Sequence, residues 1–295
     1  MSVRRRLARL GLNRSMLIRR LVRLGHPRLR RLWSSARGGG IGGAVLGRPA
    51  RWLARGKLTV PTGAAVGLQL SLAHLPLGHA HLGALAFGDL ETSVQEAMRR
   101  HLVTGGVFYD LGANIGFFSL LAARLVGEGG RVLAFEPSPD NAQAIRVNAA
   151  LNGLEGRIEV IAKAVGASNK TARLQVVDDQ SWSKLEDYGP HPTTERVLDI
   201  EVVSLDALVG DGLPPPTVVK LDVEEAEIAA LEGMREVLRV HRPAVICELH
   251  DTHRDFAELM RSIGYRVVNL ESAEPIEEAG SSAHALALPE GHPGD

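Results

Sequence analysis

From residue 107 onward the chain repeats one pattern. A short apolar run is followed by a turn rich in Gly, Pro or acidic residues, then by a segment with helical spacing of its apolar positions. Val107–Leu111 is the first apolar run, and Phe117–Val126 the first helical segment. Arg131–Phe135 predicts a second strand and Asp140–Leu151 a second helix. Ile158–Ala162 predicts a third strand, and the polar stretch Asp178–Thr194 predicts a loop. Val218–Leu221, Ala244–Leu249 and Tyr265–Asn269 predict three more strands, alternating with helices over Ala226–Leu238 and Asp255–Ile263. Ala283–Leu288 can close the sheet. Unbroken apolar strands alternating with helices predict an α/β fold, Rossmann-like, with a mostly parallel sheet covered on both faces. Upstream, 50–88 is apolar with weak periodicity. Short strands are expected around Leu58-Thr59-Val60 and Gly67–Leu72, and a helix over Glu91–Leu102.

The first 45 residues have a different texture. Ser2–Leu24 reads as a basic helix, with Leu7, Leu10, Leu17, Leu21 and Leu24 near one stripe and arginines on most of the rest. Five glycines between Gly38 and Gly43 follow as a linker. The zero formal net charge hides this division, because the first acidic residue is Asp89, after 15 Arg and Lys57. Three regions are expected: a basic helical or flexible arm at 1–45, an N-terminal extension at 46–103, and the catalytic domain at 104–295. Such an arm suits an anionic membrane surface. With aromatics at only 4%, base-stacking platforms are scarce, so nucleic acid is not the favoured partner. No apolar stretch of about 18 residues predicts a transmembrane helix. The single Cys247, inside an apolar run, reads as a core residue in a reducing, cytoplasmic setting.

Candidate chemistry concentrates at the ends of the predicted strands. Phe108-Tyr109-Asp110-Leu111-Gly112-Ala113-Asn114-Ile115-Gly116-Phe117 joins the first strand to the first helix. A Gly-rich turn there lets a ligand approach the backbone, but dinucleotide-binding domains use one too. Asp110 discriminates: its carboxylate can face the cationic amino group of a methionine moiety and would repel a pyrophosphate. Glu136, at the tip of the second strand, can accept both ribose hydroxyls of an adenosine. Together they mark an adenosyl site suited to S-adenosylmethionine.

These runs, with Phe135-Glu136-Pro137-Ser138-Pro139, Asn148 and Asn152, resemble the FkbM family of methyltransferases. Val203-Ser204-Leu205-Asp206-Ala207-Leu208, Lys220-Leu221-Asp222-Val223-Glu224-Glu225-Ala226-Glu227, Leu231-Glu232-Gly233 and Arg242-Pro243 through Glu248 are similar to its later signature. The resemblance covers about Gly88 to Gly264. One position departs from it: Glu225 stands where the family usually has glycine. The resemblance implies a class I methyltransferase fold with a seven-stranded sheet, S-adenosylmethionine as donor, and O-methylation of hydroxyls on sugars, polyketides and related metabolites. By position, Asp110, Gly112, Asn114 and Gly116 would cradle the methionine end and Glu136 the ribose. Backbone groups of Ala164-Val165-Gly166 would meet the adenine.

For the reacting end, Asp222 is the first candidate for a base or orienting group, and His250 the second. Glu248 lies at the same strand tip as His250. Glu224 and Glu227 read as acids of a helix N-terminus. Lys220 is expected to pair with Glu248. Asp222, Glu248 and His250 also offer donors for a divalent ion. They match no fixed ligand spacing, so no metal is expected. Two rival readings are a methyltransferase acting on nucleic acid or protein, and a non-catalytic module that keeps the cofactor site.

Overall fold

The computed structural model describes residues 57–71, 84, 85, 88–177, 183–191 and 193–291. The basic arm, the glycine linker, His74, His79 and His81 lie outside them. The chain divides into two compact units, Met1–Ala73 with Leu77–Leu90, and His74–Pro76 with Glu91–Asp295. In the first unit, β1 (Lys57–Thr59) and β2 (Gln69–Ser71) form an antiparallel pair with Leu58 opposite Leu70.

The second unit is built on a seven-stranded sheet. Its strands are β3 (Val107–Leu111), β4 (Arg131–Phe135), β5 (Ile158–Ile161), β10 (Val218–Leu221), β11 (Ala244–His250), β12 (Tyr265–Asn269) and β13 (Ser282–Pro289). Their spatial order is β12-β13-β11-β10-β3-β4-β5. All neighbours pair in parallel except β13, which lies antiparallel between β11 and β12. This is the Rossmann-like sheet of class I methyltransferases, with the chain reversal between β3 and β10 at its centre. Ligands in open α/β sheets bind outside the carboxyl ends of the strands at such a reversal.

The central strands are buried on both faces, which is why they read as unbroken apolar runs. Tyr109, Leu111, Leu133, Phe135, Val219, Leu221, Val245, Cys247 and Leu249 point into one core with Leu231, Leu238, Phe256 and Met260. The opposite face packs α2 (Phe117–Val126) onto β3 and β4. Of the other helices, α1 (Thr92–His101), α3 (Pro139–Asn152) and α7 (His253–Ser262) match their predicted spans to within two residues. Cys247 is a free, buried core residue. No helix among the described residues is long and apolar enough to cross a membrane.

Two features differ from the sequence expectation. The helix expected over Ala226–Leu238 is two helices, α5 (Glu227–Glu232) and α6 (Arg235–His241). The break lies at Gly233, whose α-carbon faces the Gly166 carbonyl so closely that a Cβ would stand 2.0 Å from its oxygen. Asp206, in the short helix α4 (Leu205–Gly210), then accepts the backbone N–H groups of Glu236 and Val237 and caps α6 from outside. The second difference is a four-stranded sheet, β6-β9-β7-β8, formed by β6 (Ala164–Val165), β7 (Lys170–Val177), β8 (Lys184–Leu185) and β9 (Thr194–Val203). Part of the expected loop 178–194 is therefore strand β8 and a 3-10 turn, Glu186–Tyr188. Ala172, Leu174, Val176, Leu185, Ile200 and Val202 bury a small core of its own.

The Gly233 contact is backbone against backbone, so neither partner can swing aside. Gly233→Ala is expected to destabilise the protein by about 2 kcal/mol or more, by overpacking. Equilibrium urea unfolding checks this. A midpoint unchanged from wild type would show that the break tolerates a side chain.

Candidate active site

The turn after β3 builds the first half of the site. Gly112 has φ 80°, and a Cβ there would lie 1.8 Å from the Asp222 carbonyl oxygen. Only glycine lets the β3 and β10 turns close on each other. Asn114, at φ 51°, turns its backbone N–H to Glu136 Oε2 at 2.8 Å. Glu136 Oε1 accepts the Ser138 N–H at 2.9 Å. The Glu136 carboxylate is thus oriented by two backbone donors and retains lone pairs for a diol. Burial pushes its pKa up to about 7, against the pull of the Ser138 and Asn114 donors. Asn148 fastens the turn by donating to the Ile115 carbonyl at 2.8 Å. Gly116 starts α2 and lies against Ile145.

Asp110 is buried under this turn. Its Oδ2 accepts the Ser119 hydroxyl at 2.6 Å, while Oδ1 is buried with no hydrogen-bond partner among the described residues. Burial raises its pKa, and the Lys220 charge opposes the rise. Asn114 Oδ1 is likewise buried without a donor. A buried acceptor left unmatched costs free energy, and each such group calls for an explanation.

The turns after β3 and β10 open on a cleft. Gly112, Asn114, Glu136 and Asp222 line it together with Glu224. Ala164 and Val165 of the segment expected to meet the adenine also face it, with Lys163 but without Gly166, and Leu174, Ser183, Lys184 and Leu185 bring β7 and β8 to its wall. Asp110 and Gly116 do not line it.

The second half follows β10 and β11. Lys220 is buried, with its Nζ 2.9 Å from Asp222 Oδ2 and 4.8 Å from the centre of the Phe118 ring. The expected partner Glu248 is replaced by Asp222, two residues along the same strand end. Burial works against the Lys220 charge, but Asp222, Glu91 and Asp110 outweigh it and raise its pKa. Burial also raises Asp222, with Lys220 pulling the other way. Asp222, Glu224 and His250 offer ligand-type atoms within 4.8 Å of one another, so the two strand tips converge. Glu224 is pushed up to about 8 by burial and by the neighbouring Asp222 charge.

His250 is held at Nδ1 by Glu227 Oε1 at 2.7 Å, and its Nε2 stands 3.5 Å from Glu224 and 3.7 Å from Glu248. Burial disfavours its charge, yet these carboxylates raise its pKa to about 9. It is therefore an imidazolium at neutral pH and holds no lone pair for a base. Glu227, which is fully buried, also accepts from Thr252 Oγ1 and from the Glu225 N–H. Reading it as a helix-terminal acid missed this anchoring role. Glu248 sits behind His250. Burial opposes its charge, but contact with His284 prevails and lowers its pKa to about 2.

The departure at Glu225 has a local explanation. The residue adopts φ 71°, so the turn that glycine favours is kept by a side-chain-bearing residue. Its carboxylate meets Lys184 Nζ at 2.8 Å. Lys184 lies on β8, so this ion pair joins the acceptor-side turn to the β8 wall of the cleft.

The family model for the methyltransferase FkbM domain matches residues 110–267. The chain belongs to the FkbM methyltransferase family, a family of S-adenosylmethionine-dependent methyltransferases. It is 28% identical to the 31-O-demethyl-FK506 methyltransferase FkbM of Streptomyces tacrolimicus, a match covering 78% of this chain and 95% of that protein. It is 32% identical to the hexuronic acid methyltransferase AglP of Haloferax volcanii, over 49% of this chain and 56% of that protein. Among solved structures it is similar to a methyltransferase FkbM of Methylobacillus flagellatus KT, with 17% identity and a TM-score of 0.43. That match covers 71% of this chain and about half, 53%, of the other. A SAM-dependent O-methyltransferase of Thermotoga maritima gives 16% identity and a TM-score of 0.43, over 68% of this chain and 65% of that one.

Two predictions follow from this geometry. Hydroxyl donors favour the ionised Glu136, so a carboxyl near 7 should make S-adenosylmethionine affinity rise from pH 6 to pH 8 and level off above. Calorimetry across that range checks it, with Glu136→Ala binding weakly throughout. A flat wild-type profile would contradict the raised pKa. At position 225, alanine loses the Lys184 pair and keeps the left-handed strain, whereas glycine loses only the pair. Glu225→Gly should therefore be more stable than Glu225→Ala by about 1 kcal/mol in urea unfolding, and equal midpoints would argue against strain at this turn.

Proposed function

We propose that this protein transfers a methyl group from S-adenosylmethionine to a hydroxyl of a sugar, glycan or secondary metabolite. The observation that carries the reading is the convergence of Asp222, Glu224 and His250 on one side of the cofactor cradle. The relatives support it, since one is named a 31-O-demethyl-FK506 methyltransferase and another a hexuronic acid methyltransferase.

The cradle fits the cofactor. Asp110 Oδ1 and Asn114 Oδ1 are buried acceptors without donors. An α-ammonium group in the turn would satisfy the first of them. Glu136 keeps lone pairs for a ribose diol. When bound, the cofactor supplies a methyl group on a sulfonium centre. The chain's own residues then align an acceptor and move its proton.

In this reading Asp222, fixed by Lys220, accepts a hydrogen bond from a hydroxyl neighbouring the reacting one and so orients the acceptor. The reacting hydroxyl donates to Glu224, which takes up its proton on transfer, while a bound cofactor would supply the methyl carbon and keep the electron pair of its C–S bond. A carboxyl raised to about 8 is well matched to that proton transfer near neutrality. His250, charged up to about pH 9, balances the carboxylates around it. Domain by domain, residues 104–295 carry the transfer.

Only ionised Glu224 accepts a proton, so turnover should rise with pH through about 8 and level above it. Glu224→Gln should lower kcat by about a hundredfold and remove that limb, with cofactor affinity nearly unchanged. Asp222→Asn should lower kcat to a similar extent. Single-turnover assays on a panel of hydroxylated sugars and macrolides measure both. Near-normal turnover in both variants would sink this assignment, and binding without transfer to any acceptor would favour a non-catalytic module.

A further inference from the structure

A second cluster stands beside the acceptor end and takes no part in the mechanism above. His284, on β13, is 8% exposed. Its Nδ1 is held by Glu271 Oε1 at 2.7 Å. Its Nε2 is buried, makes no hydrogen bond among the described residues, and faces two carboxylates. Glu91 Oε2 lies 3.3 Å away and Glu248 Oε2 3.6 Å away. Glu91 Oε2 is itself buried without a hydrogen bond. One nitrogen and two oxygens from three separate elements thus share a small space, all within 4.8 Å of one another.

We infer that Glu91, Glu248 and His284 bind a first-row divalent cation of the zinc class. The spacing carries the inference. Two ligand atoms each about 2.1 Å from a tetrahedral ion lie about 3.4 Å apart. The nitrogen stands at 3.3 and 3.6 Å from the two oxygens, close to that edge length. In the ion-free site these carboxylates hold the imidazole protonated, so a cation would displace the Nε2 proton and take its place between them. The Glu271 contact adds the outer layer of such sites, in which the second ring nitrogen of a ligating histidine is oriented by a carboxylate. Ser282 Oγ donates to Glu248 Oε1 at 3.1 Å and fixes the second ligand in the same way. Glu91 occupies the N-cap position of α1 but does not cap it. Its backbone sits at φ 40°, and its carboxylate is directed to the cluster instead. Two carboxylates and one imidazole suit zinc, cobalt or manganese better than calcium or magnesium, which favour all-oxygen shells. Three protein ligands leave a fourth position for water or a substrate oxygen.

Asp222, Glu224 and His250 form another group of the same composition. There no atom of the three is buried without a hydrogen bond among the described residues, whereas His284 Nε2 and Glu91 Oε2 are. The inference does not rest on methyl transfer and can be tested without it.

The full-length protein, stripped with a chelator, is titrated with Co²⁺ and with Zn²⁺. One equivalent of Co²⁺ should give the visible absorption of a four-coordinate nitrogen–oxygen site, and Zn²⁺ should displace it. Zn²⁺ should also raise the melting temperature of the wild type. His284→Ala and Glu91→Gln should each abolish the Co²⁺ spectrum. Should His284→Ala fail to fold, Glu271→Gln serves instead, with an expected loss of 10- to 100-fold in affinity. A wild type that takes up no metal overturns the inference. So does a spectrum that persists in His284→Ala, or one lost in His250→Ala and Glu224→Gln but kept in Glu91→Gln. Unchanged affinity in Glu271→Gln overturns it as well.

Discussion

At the carboxyl edge of the sheet, the turn after β3 and the turn after β10 touch with no side chain between them. Gly112 leaves the Asp222 carbonyl nowhere else to go, since a Cβ would stand 1.8 Å from its oxygen. That contact fixes the distance between the two halves of the site. On one side it sets Asn114 so that its N–H reaches Glu136. On the other it sets Asp222 so that its carboxylate meets Lys220. The parallel pairing of β3 with β10 brings Asp110 opposite Lys220, directly beneath the contact. A cofactor turn and an acceptor turn held this way share one register. Transfer of a group between their ligands demands that kind of alignment, because small misplacements of reacting atoms are costly in rate.

The electrostatics follow from the same convergence. Burying a carboxylate costs several kcal/mol unless a partner offsets it. The site nevertheless gathers Asp110, Asp222, Glu224, Glu227 and Glu248 within one end of the sheet. Lys220 is the shared partner of the first two, reached from the same face and backed by the Phe118 ring. His250 and His284 serve the others, and both are charged because of them. Glu224 receives the least compensation and keeps a raised pKa. The result is a graded set. Glu248 is held ionised, His250 is held protonated, and Glu224 is raised to about 8. Apolar side chains would fill this space at lower cost, so stability alone does not account for the buried charges.

The central sheet was legible because its strands are buried on both faces and so appear as unbroken apolar runs bounded by turns. Val218–Leu221 and Tyr265–Asn269 have the same limits in the sequence pattern and in the structure. The motif glycines and asparagines were legible as motifs, but their reasons were not. Gly233 and Asp206 are explained by partners 67 and 30 residues away, the Gly166 carbonyl and the start of α6. The β7–β9 pair was missed even though Ala172, Leu174 and Val176 alternate at the strand period. Such alternation is the signal of a strand buried on one face, but no element was expected between Ala162 and Asp178. Glu91, Glu271 and His284 carried no local signal, since they meet only when α1, β12 and β13 are assembled.

Glu225 shows what a single departure from a family pattern does physically. A left-handed residue other than glycine costs about 1–2 kcal/mol, and the sequence alone raises doubt about the turn. The turn survives because Glu225 gains something glycine cannot have, a carboxylate within 2.8 Å of Lys184. Lys184 also donates to the Tyr188 carbonyl, so the pair is anchored at both ends. Strand β8 forms part of the cleft wall, and the turn bearing Glu225 also bears Asp222 and Glu224. With glycine at 225 the wall and the acceptor turn would be held by packing alone. With glutamate they are tied by charge across the cleft. The position thus trades backbone comfort for a fixed distance between wall and acceptor turn.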